Sequence, residues 1–181
     1  CRFVSDNYFT VLGVPALRGR VFGDAENQGV GASPVAVISY GYWTRRFHND
    51  PAVIGKSIVV DDNAITIVGI TPPAFTGEIV GTSNDIWLPL SMQPTLQPNM
   101  SQPSRTGPVS VLATRSASWL LLLGRLAPGA TQAQAAHELG PLMSQMIVAN
   151  ASSSDGAAFK ADPPKMYIAP GGRGVSRVRA T

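Results

Sequence analysis

Val35-Ala36-Val37-Ile38-Ser39-Tyr40-Gly41-Tyr42-Trp43-Thr44-Arg45-Arg46-Phe47 is the stretch that decides the fold. Its first four residues are an unbroken, mostly β-branched apolar run, which predicts a short buried strand. Ser39 follows as a helix cap, because its hydroxyl oxygen can accept a bond from an otherwise unpaired amide of the first turn. Tyr40, Trp43 and Phe47 recur at i, i+3 and i+7 and place their rings on one helical face. Asn49-Asp50-Pro51 ends that helix.

Working outward, Ile58-Val59-Val60 and Ile65-Thr66-Ile67-Val68 flank Asp61-Asp62-Asn63, the pattern of a β-hairpin with Asp and Asn at the turn. Thr71-Pro72-Pro73 closes that unit, and Ile86-Trp87-Leu88-Pro89-Leu90 reads as one more strand. Upstream, Ser5 is expected to cap a helical turn through Leu12 that Gly13 stops. Residues 20–33 are polar and glycine-rich and read as a loop. Cys1-Arg2-Phe3-Val4 reads as the tail of a strand. With no initiator methionine, the chain is expected to be a segment of something larger.

Past residue 90 the pattern dissolves. Pro94, Pro98, Pro103 and Pro108 among Ser, Gln and Asn predict a long proline-rich loop over 91–117. Trp119 to Leu126 then predicts a strand, and Ala127-Pro128-Gly129 a turn. Thr131-Gln132-Ala133-Gln134 has the spacing of a capping box. Behind it Ala135, Leu139, Leu142 and Met146 form one apolar stripe, which Gly140-Pro141 should kink or restart. Lys165 to Ala169 is expected to form a last strand, and residues 170–174 a final turn. The predicted class is α+β: short mixed strands with two or three helices.

Composition narrows the function. The chain of 181 residues is 44% hydrophobic and 14% charged, too uncharged for the highly charged kind of disorder. With 18 glycines and 15 prolines, helices must be few or short. The net charge is +3, and the arginines are scattered in ones and twos (Arg18/Arg20, Arg45/Arg46, Arg173/Arg177/Arg179). A nucleic-acid binder carries a denser basic stripe with interleaved aromatics, so no nucleic-acid partner is expected. The single cysteine, Cys1, forbids an intrachain disulfide. No apolar run approaches the ~20 residues that a membrane helix needs.

The chemical inventory is thin. His48 and His137 are the only histidines and lie far apart; His137-Glu138 starts a zinc-protease-like string, but Pro141 stands where the second histidine belongs. Gly29-Val30-Gly31 fails the dinucleotide fingerprint, and Gly171-Gly172-Arg173-Gly174 lacks the Lys-Ser/Thr of a phosphate loop. Asp61-Asp62-Asn63 is the best carboxylate cluster, and hairpin-turn chemistry accounts for it. No catalytic residue, cofactor or metal site is supported, and the chain is not expected to be an enzyme.

Val4-Ser5-Asp6-Asn7-Tyr8-Phe9-Thr10-Val11-Leu12-Gly13-Val14 resembles the opening of the MacB-type periplasmic core domains of MacB/FtsX-like ABC-transporter permeases. The resemblance continues through Gly19-Arg20-Val21-Phe22 and Pro34 to Ser39. It extends to Tyr42-Trp43-Thr44-Arg45-Arg46-Phe47 and Asp50-Pro51-Ala52-Val53-Ile54-Gly55-Lys56. Val68-Gly69-Ile70-Thr71-Pro72-Pro73-Ala74-Phe75 and Asp85-Ile86-Trp87-Leu88-Pro89-Leu90 complete it. The motif residues are therefore Tyr8, Phe9, Gly13, Gly19, Arg20, Trp43, Phe47, Asp50, Gly55, Gly69, Pro72, Phe75, Trp87 and Pro89, all expected to be structural. Leu121 to Thr131 with the helix behind it is similar to the family's closing strand and helix.

The resemblance implies a non-catalytic extracytoplasmic domain set between the first and second membrane helices of an inner-membrane permease. It implies partners: a cytoplasmic ATPase subunit acting indirectly, a second permease copy, and a periplasmic adaptor protein as a candidate. Residues 1–90 would be sabre-like, and 118–181 a porter-like strand-helix-strand returning toward the membrane. The alternative is a stand-alone periplasmic ligand- or peptide-binding module with a concave apolar pocket.

Overall fold

The computed structural model describes residues 1–27, 29–96, 102–104, 107–109, 111–112, 119–150, 168–172 and 174–175. Two compact units divide the chain, Cys1–Leu112 with Gly174–Thr181 as one and Ala113–Arg173 as the other. The first contains strands β1 (Arg2–Val4), β2 (Arg18–Gly19), β3 (Val35–Ile38), β4 (Ser57–Val60), β5 (Asn63–Ile70) and β6 (Ile86–Pro89). Helices α1 (Tyr8–Leu12), α2 (Tyr40–Phe47) and α3 (Gln93–Leu96) join them, with a small ladder of β7 (Gln102–Ser104) and β8 (Gly107–Val109). The described helix of the second unit is α4 (Gln132–Asn150).

The six strands form one mixed sheet in the order β1-β6-β3-β5-β2, with β4 also hydrogen-bonded to β5. The predicted strand β3 is its centre, parallel to β5 and antiparallel to β6. A strand covered on both faces has no solvent side, which is why Val35 to Ile38 contains no polar residue. Alternation still operates within it. Ala36 and Ile38 join a core with Trp43, Val53, Ile58, Ile65, Ile67, Ile70 and Leu88 on one face. Val37 joins Val4, Tyr8, Phe9, Phe22 and Trp87 on the other.

One irregularity sets the phase of β5. The β3–β5 register runs Ala36↔Ile67 and then Val37↔Gly69, so Val68 is an extra residue. In a regular strand Ile67 and Ile70 would face opposite sides; the bulge returns Ile70 to the face of Ile67. The freed Val68 carbonyl accepts the Arg20 amide at 2.9 Å, anchoring β2 to the outer edge.

Several local expectations hold in detail. Ser39 Oγ accepts from the Tyr42 amide at 2.9 Å and starts α2. Val60 pairs with Asn63 across Asp61 and Asp62, whose φ values of 46° and 61° make the two-residue turn that twisted hairpins favour. The capping box forms as well: the Thr131 amide donates to Gln134 Oε1 at 2.8 Å, and the Gln134 amide to Thr131 Oγ1 at 3.2 Å.

Other expectations need correction. Asn7, not Ser5, occupies the cap of α1 and makes no side-chain cap bond; the Ser5 carbonyl instead accepts the Tyr8 amide. Residues 24–27 form a single 3₁₀ turn inside the predicted loop. The proline-rich stretch carries helical turns at Leu90–Met92 and Gln93–Leu96, because Met92 and Leu96 are drawn into the core. Trp119 to Leu126 joins no ladder, and Leu120, Leu121, Leu122 and Leu126 are exposed. Pro141 sits within a helix that runs unbroken over Gln132–Asn150, and the stripe residues Leu139, Leu142 and Met146 are exposed. The predicted strand Lys165–Ala169 falls largely outside the described residues.

Candidate functional site

Glu78 lies on the segment between β5 and β6, and only 4% of its side chain is exposed. Tyr8 Oη donates to its Oε2 at 2.6 Å, and Arg2 forms an ion pair with its Oε1. Burial raises the Tyr8 hydroxyl far above the usual phenol range, and the adjacent carboxylate raises it further. The Trp87 indole N–H favours the ionised Tyr8 weakly, yet it makes no hydrogen bond of ordinary geometry. Two stretches of chain far apart in sequence, the consecutive elements β1 and α1 and the 78–80 segment, thus meet on one buried carboxylate. Around them Phe9, Phe75 and Trp87 pack edge-to-face or stacked, with Phe75 and Trp87 centroids 5.3 Å apart.

A second buried acid, Glu26, plays a comparable part beside β2. Its Oε1 accepts from Arg20 at 2.8 Å and its Oε2 from the Gly23 amide at 2.9 Å. Burial alone would raise its carboxyl, but the Arg20 and Gly23 bonds outweigh it and hold it below the ordinary range. Its own carbonyl accepts from Ser91 Oγ at 3.1 Å, tying the 3₁₀ turn to the segment after β6. Gly19 and Gly69 are paired across β2 and β5. A Cβ at Gly19 would meet the Val68 oxygen at 2.2 Å, and one at Gly69 the Arg20 oxygen at 2.0 Å. Only glycine fits at either position.

Trp43 is buried, and its Nε1–H donates to the Asp50 carbonyl at 2.9 Å, while Arg18 lies over its ring. Asp50 Oδ1 caps the following turn through the Ala52 amide, and Lys56 reaches Oδ2 at 2.5 Å. Lys56 and that amide hold the Asp50 carboxyl below its usual range. Phe47 packs edge-on against Tyr42, with Arg46 over its face. Gly13 closes α1, the Gly55 amide bonds Ile67, the Pro72 carbonyl accepts the Phe75 amide, and Pro89 lies opposite Val4.

His48 is exposed at the end of α2, His137 is exposed on α4, and Asp61 and Asp62 form the hairpin tip. Among the described residues no three of His, Cys, Asp and Glu gather as a metal site. The two acids that organise the fold, Glu26 and Glu78, were not singled out by sequence reasoning. Glu78 is a lone acid between Gly77 and Ile79, and Glu26 sits in a polar loop beside Asp24 and Asn27, so neither belongs to a periodic pattern.

The model of the MacB-like periplasmic core domain matches residues 1–142. The chain belongs to that family. Its fold resembles the periplasmic region of MacB from Actinobacillus actinomycetemcomitans, with a TM-score of 0.53 at 14% identity over 90% of this chain. It spans 65% of that region's length. A domain of a putative permease from Porphyromonas gingivalis aligns at TM-score 0.46 and 17% identity, over 89% of this chain and 57% of its own. The extracellular domain of the noncanonic ABC-type transporter YknZ from Gram-positive bacteria aligns at 0.40 and 19%, over 51% and 44%. No curated protein is a significant match to the chain.

By that membership the chain is a periplasmic domain of the MacB-like permease family. No helix among the described residues is long and apolar enough to cross a membrane.

Proposed function

We propose that this MacB-like domain is a non-catalytic relay within an inner-membrane ABC permease. It takes up movements driven by a cytoplasmic ATPase and presents them outside, working beside a second permease copy and offering a docking surface to a periplasmic adaptor protein. The observation that carries the reading is how the buried charge is used. Glu26 and Glu78 are each bonded to an arginine and a second donor, so both tie elements together and neither of these two carboxylates is free to act. A relay needs a rigid body and an interface with two arrangements, and does not need a reactive group.

The test uses the full-length permease reconstituted with its ATPase. Alanine at His48, His137, Asp61 or Asp62 is expected to leave transport unchanged. Loss of transport in a stably folded variant at any of these positions overturns the non-catalytic reading. Membrane-spanning segments flanking the domain in the full-length protein are expected as well; a secreted protein without them would favour the binding-module alternative.

A further inference from the structure

Glu78 bonds in two directions at once. Inward, its carboxylate holds Tyr8 of α1 and Arg2 of β1. Outward, its own carbonyl accepts the Val175 amide at 2.7 Å, and the Val175 carbonyl accepts the Val80 amide at 3.0 Å. Ile79 and Val175 thereby make a parallel bridge. Val175 lies where the chain re-enters this unit after the other one. The approach is close enough to demand glycine before it. Gly174 has φ 77°, and a Cβ there would lie 3.0 Å from the Glu78 oxygen and 2.9 Å from Val80 Cγ2.

The supporting loop is itself braced. The Asn84 amide bonds the Thr76 carbonyl at 3.0 Å, and the Thr82 amide bonds that of Ile79. The Asn84 side chain covers Gly77 so closely that a Cβ there would sit 2.6 Å from Nδ2. The direction of the Glu78 carbonyl is thus set from two sides: by the bracing of its loop and by the buried bonds of its own carboxylate.

We propose that Glu78 is a two-sided clasp that couples the seating of β1 and α1 to the seating of the returning segment Gly174–Val175. A buried carboxylate that loses its donors turns toward water, since an unpaired buried charge is strongly disfavoured. That turn carries the Glu78 peptide with it and withdraws the carbonyl from Val175. Conversely, a displaced Val175 frees the 78–80 backbone and loosens the grip on Arg2 and Tyr8. Under the relay reading, the clasp makes two chain passages through the domain move as one. That meaning rests on the relay reading, whereas the coupling itself belongs to the domain.

Native-state amide exchange on the 181-residue chain, resolved by residue with NMR, tests the coupling. Glu78→Gln and Tyr8→Phe are expected to speed exchange of the Val80 and Val175 amides by about tenfold. Gly174→Ala is expected to speed exchange in β1 by a similar factor. Amides of α2 and of the β4–β5 hairpin are expected to exchange as in the parent, showing that the fold holds. Parent-like exchange at Val80 and Val175 in Glu78→Gln, or in β1 in Gly174→Ala, overturns the clasp. If Glu78→Gln does not fold, Tyr8→Phe, which keeps the packed ring, decides on the same two amides. A permease that transmits no movement while this coupling is intact contradicts the relay and leaves the clasp standing.

Discussion

Gly69→Ala puts the bulged edge of the sheet to a quantitative test. The new Cβ would lie 2.0 Å from the Arg20 oxygen, where no real contact falls under 3.0 Å, so β2 must move outward by about 1 Å. Both obstructing atoms within 3.0 Å belong to the Arg20 backbone, and no side-chain rotation relieves them. Two bonds are lost with that movement, Arg20 amide to Val68 carbonyl at 2.9 Å and Leu17 amide to Ile70 carbonyl at 2.7 Å. At about 0.5–1.5 kcal/mol each, they contribute about 1–3 kcal/mol. The lower unfolded-state entropy of alanine returns about 0.4–1 kcal/mol. The Arg20 side chain is 53% exposed, so loosening its ion pair with Glu26 adds no more than about 1 kcal/mol. The expected net loss is about 1–3 kcal/mol. Urea unfolding followed by tryptophan fluorescence measures it, with Gly23→Ala as control, since a Cβ there meets nothing within 4 Å. A Gly69→Ala midpoint matching that of the control would refute the reasoning.

Trp43→Ala should lose about 3–5 kcal/mol, because a buried ring and its bond to Asp50 are both removed; an unchanged melting temperature would contradict that assignment. Ser39→Ala should cost about 0.5–2 kcal/mol in the same urea assay by removing the α2 cap, and a stability equal to the parent's would show that the bond to Tyr42 contributes nothing. Glu26 has a depressed folded-state carboxyl, so its stabilisation is present above the unfolded value near ~4.3 and is lost as pH falls through the folded value. Glu26→Gln should therefore flatten the acid limb of the stability–pH curve, and an unaltered limb would count against it. Tyr8 has a raised folded-state value, so its contribution is complete below about pH 10 and fades as pH rises through that value. Absorbance titration up to about pH 11 should give the parent and Tyr8→Phe equal phenolate amplitudes; a larger amplitude in the parent would mean that Tyr8 ionises normally.

What was legible in the sequence is what local chemistry decides. The apolar run of β3, the Ser39 cap, the Asp61–Asp62 turn and the Thr131–Gln134 box each need only neighbours in sequence, and each is in place. The bulge at Val68 was hidden, since Ile65, Ile67 and Ile70 satisfy no single strand period until the register shift is known. The leucines from 120 to 122 show the opposite failure. They satisfy a strand pattern, but a strand exists only with a partner, and that is a tertiary property. The carboxylate clusters with the clearest local pattern, Asp61 and Asp62, only turn the chain. Of the acids that organise the fold, Glu78 finds Arg2 only through the tertiary structure, while Glu26 meets Arg20 across a turn that no periodic pattern marks.

The central claim is that this domain carries ATP-driven movement outside the membrane without chemistry of its own. Val59 on β4 is 75% exposed and takes part in neither core, which makes it a suitable position for a spin label. The distance between labels on the two copies of the full-length permease, reconstituted with its ATPase, should be measured with and without bound ATP. A relay predicts two distance distributions whose populations exchange on ATP binding. Identical distributions in a permease that is actively hydrolysing ATP would contradict the account.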